Sequence, residues 1–114
     1  MWSALIWVAN TRPETVGTQH DTLNYVIWQG GHLISHIILG ALVWNAATLT
    51  WKHSTGFFVA LLGGCCHAAL DEWIQTLVPS RHANLEDVLY NVGGVALGIA
   101  VVEFIRLRST AVRR

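Results

Sequence analysis

GGHLISHIILGALVWNAATLTW, residues 30–51, decides the fold. The run contains no Asp, Glu, Lys or Arg. As a helix it spans about 33 Å at 1.5 Å per residue, against a bilayer core about 30 Å thick. Its apolar residues follow no period-two alternation, so a strand is excluded. Two further runs are of similar length: residues 55–78, ending before Pro79, and residues 85–107. Composition agrees with lipid as the solvent. Hydrophobic residues make up 53% of the 114-residue chain and charged residues 12%, about half the share usual in soluble domains. The expected fold is therefore all-α: one domain over residues 1–114, a small polytopic transmembrane helix bundle of three full spans.

A short apolar segment, Met1 to Ala9, precedes the spans. It is too short to cross a bilayer, and it lacks the basic region and the cleavage site of a signal peptide. Two placements are expected for it. It lies at the outer interface with Trp2 and Trp7 as anchors, or it packs as a half-helix against a partner. Residues 10–24, with Pro13 and Gly17, read as an external loop.

Charge placement gives an orientation. Lys52 lies between the first and second spans, and Arg106, Arg108, Arg113 and Arg114 close the third. Cytoplasmic loops carry the excess of Lys and Arg, so this end and the C-terminus are expected in the cytoplasm. A net charge of zero gives no bulk attraction to nucleic acid, and none is expected as a partner. Asn84 is placed to cap the third helix, and Glu103 and Arg106 are spaced to pair along it.

The polar residues within the spans carry the functional signal, because ionisable groups in a membrane are costly unless paired or hydrated. His32 and His36 share one face at the start of the first span. Glu72 and Gln75 share a face before Pro79, and Asp87 and Asn91 share one on the next helix, with Arg81 between them. All seven are expected at one depth near the outer surface. Ala60, Gly64 and Ala68 form a small-residue stripe, as do Gly94 and Gly98; such stripes let membrane helices pack closely. Cys65 and Cys66 are adjacent within an apolar run and read as small apolar side chains. The spacing of His32 and His36 would suit a metal, but no third ligand is placed by sequence, Glu72 being only a geometric candidate. Hydrogen bonding of His36 and His67 across the bundle is the expected alternative. No metal and no cofactor is assigned, and neither Ser35 nor Ser80 sits in a nucleophile motif.

From Glu72 to Gly98 the chain reads EWIQTLVPSRHANLEDVLYNVGGVALG. This resembles the VanZ-like family of bacterial membrane proteins, whose pattern is Glu-x-x-Gln, Val-Pro-x-Arg, a downstream Asp, an Asn four residues later and two glycines. Glu72, Gln75, Pro79, Arg81, Asp87, Asn91, Gly94 and Gly98 match in order and spacing. Upstream, HLISHIILG from His32 to Gly40 resembles the family's His-x-x-x-Tyr-x-x-Leu-Gly, with His36 at the Tyr position. The resemblance is strongest over residues 28–100. Where the family has Asp-Lys before that His, this chain has Trp28 and Gln29, which removes two charges from the outer cluster. The resemblance implies a multi-pass protein of the bacterial inner (cytoplasmic) membrane, associated with the cell envelope and with low-level teicoplanin resistance. It implies no established reaction. Two roles are expected: binding of a lipid or lipid-linked envelope precursor, or a non-catalytic accessory subunit of a larger membrane complex.

Overall fold

The structure, a computed structural model, describes residues 2–3, 5–6, 21–78 and 84–112. Three helices dominate it: α1 (Asp21–Thr50), α2 (His53–Gln75) and α3 (Leu85–Val112). No strand occurs among the described residues. All three helices are long and apolar enough to cross a membrane. Successive helices run antiparallel, joined between α1 and α2 by only Trp51 and Lys52. The molecule is elongated, 57 × 25 × 23 Å.

The helices outrun the expected spans. The membrane-length part of the first helix is Gln29–Thr50, close to the expected run, but the helix itself starts at Asp21, so residues 21–24 are helical and not part of a loop. The third continues to Val112, past Leu107. At its start Asn84 Oδ1 accepts the Glu86 backbone N–H at 3.1 Å, so Asn84 caps α3 as its sequence position suggests.

Large apolar side chains point outward: Ile34 and Leu42 on α1, Phe58 and Leu62 on α2, Leu97 and Phe104 on α3. Small and polar residues point inward. This arrangement suits lipid, where burying Leu gains little and close backbone packing gains more. The most extensive interface joins α1 and α3. A Cβ at Gly98 would overlap the Ile37 carbonyl oxygen and stand 2.8 Å from the Ala41 nitrogen. One at Gly94 would stand 2.8 Å from the Leu33 oxygen, and one at Gly40 would overlap the Val95 backbone. On α2, Gly64 lies against the Val95 side chain, and Ala60 and Ala68 are fully buried.

Trp2, Ser3, Leu5 and Ile6 are helical. Trp2 Nε1 donates to the Ser35 carbonyl at 3.0 Å, and Ile6 joins the core beside Leu39, Trp44 and Val95. The described part of the N-terminal segment thus packs on the bundle itself; residues 7–20, including Trp7, lie outside the described residues.

The end of the bundle near Lys52 has its own polar tie. Glu103 accepts from Trp44 Nε1 at 3.1 Å and meets His53 Nε2 at 3.0 Å. Arg106 donates to Thr48 Oγ1 at 2.5 Å. The two residues expected to pair within α3 therefore bond across helices, because neighbouring helices offer partners closer to each side chain.

Gly98→Leu should disrupt the α1–α3 contact and cost at least the ~1–3 kcal/mol typical of overpacking. Gly93, whose added Cβ would meet nothing within 4 Å, should accept Ala with no loss and gain up to about 1 kcal/mol in helix propensity. Thermal stability of the detergent-solubilised protein, followed by size-exclusion chromatography, checks this. Equal melting of the two variants would contradict the close approach.

Candidate functional site

Among the described residues, six polar or charged side chains are buried: His32, His36, Asp71, Glu72, Gln75 and Asn91. They converge from the N-terminal half of α1, the C-terminal end of α2 and the first turns of α3. This end lies opposite the Glu103 tie. Burial of so many polar groups among helices of this kind demands mutual satisfaction.

Each helix supplies its pair by turn geometry. On α1, His36 Nδ1 lies 2.9 Å from the His32 carbonyl, one turn back, and 3.3 Å from Ser35 Oγ. The Ser35 hydroxyl itself donates to the same carbonyl at 2.9 Å. Two acceptors thus face His36 Nδ1, which fixes the proton there and leaves Nε2 as a bare lone pair. His32 Nδ1 and Asn91 Oδ1 are 3.2 Å apart, joining α1 to α3. The two imidazoles are stacked with centroids 6.5 Å apart, and His67 stands edge-on to His36 at 5.6 Å.

On α2, Asp71 Oδ2 lies 3.9 Å from both His32 Nδ1 and His36 Nε2. Glu72 Oε1 accepts the Asn84 backbone N–H at 2.6 Å. The carboxylate therefore closes the α2–α3 connection by holding the backbone that enters α3. Asp71, Asp87 and His32 are near enough to act on Glu72 electrostatically. At the rim Gln29 Nε2 donates to Asp87 Oδ1, crossing from α1 to α3.

Of the residues singled out by sequence, His32, His36, Glu72, Gln75, Asp87 and Asn91 come together at this end. Arg81 and Pro79 lie outside the described residues. His36 and His67 meet as rings. Asp71 and Gln29 were not singled out as site residues. A signal for Asp71 existed: it follows His67 by one helical turn, on the face that meets α1.

The chain matches the VanZ/LLP1 family over residues 3–106. It belongs to the VanZ/LLP1 family. The match covers α1, α2 and all but the end of α3, so the polar cluster lies inside the family domain. No match was found among curated proteins or among solved structures. For this VanZ/LLP1 protein, family membership and three apolar helices together identify a membrane protein.

Glu72→Ala should remove the acceptor of the Asn84 N–H and cost about 0.5–3 kcal/mol, the range spanned by hydrogen bonds to neutral and charged groups. Glu86→Ala removes an exposed carboxylate near the α3 N-terminus and should cost under about 1 kcal/mol. Melting of both variants in detergent measures the difference. Equal, small losses would contradict a structural role for the Glu72 carboxylate.

Proposed function

We propose that this VanZ/LLP1 protein binds the polar headgroup of a lipid, or of a lipid-linked envelope precursor, at the cluster formed by Gln29, Glu72, Asp87 and Asn91. One observation carries the reading. Glu72 Oε2, Asn91 Nδ2 and Gln29 Oε1 are buried without hydrogen-bond partners. Two acceptors and one donor left open at one end of a bundle are a mixed array. Such an array suits hydroxyl, amide or ammonium groups better than a bare phosphate. Headgroups with sugars, peptides or amines carry those groups.

Orientation follows from the basic residues. Lys52 and Arg106 lie at one end, as the Arg106–Thr48 bond requires. With that end in the cytoplasm, the polar cluster faces the outer side of the bacterial inner membrane, where envelope precursors are displayed. Teicoplanin resistance is the phenotype we connect with such binding, since glycopeptide antibiotics act on the same precursors.

Native mass spectrometry of protein reconstituted with phosphatidylethanolamine, phosphatidylglycerol and a lipid-linked disaccharide–peptide tests this. One class should be retained selectively, and Asn91→Leu should weaken retention about tenfold, the factor for one lost hydrogen bond of ~1.4 kcal/mol. The same unselective lipid profile for both proteins would overturn the reading. Co-purification at fixed stoichiometry with a larger complex, without selective lipid, would replace it with the accessory role. Labelling of Glu86→Cys but not Ser54→Cys from outside intact cells, in a chain lacking Cys65 and Cys66, is expected for the orientation. The reverse pattern would invert it.

A further inference from the structure

We propose that His32, His36 and Asp71 bind a divalent transition-metal ion between α1 and α2. Among the described residues, one ligand atom from each of the three lies within 4.8 Å of the other two. All three side chains are buried. The proposal does not rest on headgroup binding, which uses Glu72, Asn91 and the rim, although the two sites meet at the His32–Asn91 contact.

The local chemistry of the three side chains suits a cation. His36 donates from Nδ1 to the His32 carbonyl at 2.9 Å. A backbone carbonyl on the far ring nitrogen is the usual orienting partner of a metal-bound imidazole, since it fixes the tautomer and raises the basicity of the other nitrogen. The other nitrogen, Nε2, is buried without a hydrogen-bond partner. It points at Asp71 Oδ2 across 3.9 Å. That gap is too long for a hydrogen bond. A lone pair facing a carboxylate oxygen is repulsive, and a cation placed between them reverses the sign. The second imidazole nitrogen, His32 Nδ1, stands at the same 3.9 Å from the same oxygen.

The fit requires only small movement. Ligands 2.0–2.1 Å from a tetrahedral Zn2+ are about 3.4 Å apart. Closing the present separations asks each side chain to move by less than about 1 Å, within χ-angle adjustment. His32 would shift its proton to Nε2 and exchange its 3.2 Å contact with Asn91 for the ion. Two imidazoles and one carboxylate select Zn2+, Fe2+, Co2+ or Ni2+ over Mg2+ and Ca2+, which prefer oxygen donors. The helices supply the spacing: His32 and His36 are one turn apart on α1, and Asp71 meets them from α2.

The test uses the full chain in detergent, stripped with chelator and then equilibrated with Zn2+ or Co2+. Bound Zn2+ should reach one per chain by elemental analysis. Co2+ should give the d–d bands of a nitrogen–oxygen ligand set without thiolate charge transfer. Asp71→Asn and His36→Gln, which keep side-chain size, should each weaken binding at least tenfold, while Glu103→Gln at the opposite end should leave it unchanged. If either site variant fails to fold, the cobalt spectrum of the unaltered protein still decides. Absence of stoichiometric metal in the unaltered protein would overturn the proposal. So would retention of the ion by both site variants, or a thiolate band placing it at Cys65 and Cys66.

Discussion

The backbones of α1 and α3 touch. Gly98 sits on the Ile37 carbonyl, Gly94 on the turn between Leu33 and His36, and Gly40 on Val95. In water such an interface would be held together chiefly by excluding solvent. In lipid it depends on dispersion contacts and on polar bonds that only close approach permits. The register of these contacts places Asn91 one turn before Gly94 on α3, opposite His32 on α1. The inter-helix bond between His32 and Asn91 is a consequence of glycine packing one turn away.

α2 then closes the bundle from the other side. Its Gly64 seats on Val95, and Ala60 and Ala68 continue the same face. One turn further along, that face carries Asp71, Glu72 and Gln75. The small-residue stripe and the acidic residues are thus one continuous surface, apolar where it packs and polar where it meets the histidines. Glu72 holds the chain as it enters α3, while the Glu103–His53–Trp44 group ties the opposite end. The buried polar layer thus lies between two ends that are each tied by side chains crossing between elements.

Much of this was legible in the sequence. Length and apolarity located the three spans, and the pattern from Glu72 to Gly98 named the family. Glu72, Gln75, Asp87 and Asn91 could be placed on shared faces by their spacing alone. What failed were judgements that need a neighbouring helix. Residues 21–24 read as loop because they are polar, yet they form the first turn of α1, which extends beyond its apolar span. Glu103 and Arg106 were spaced to bond with each other, yet each found a partner on another helix. Asp71 was passed over because its neighbour Glu72 carried the recognisable motif. Only the rotation of α2 about its axis decides which of two adjacent carboxylates faces the histidines, and one sequence does not encode that rotation visibly.

The central claim is that α1 presents its histidine pair to Asp71 inside the bundle. Solid-state NMR of the protein in lipid bilayers, with 15N in the His36 ring and 13C in the Asp71 carboxyl group, measures that separation directly. A resolved dipolar coupling, as expected for a carboxyl carbon whose Oδ2 lies 3.9 Å from His36 Nε2, or a stronger one if the two groups share an ion, is the expected result. Absence of coupling in well-folded protein would mean that α2 presents a different face, and would contradict the account of the site.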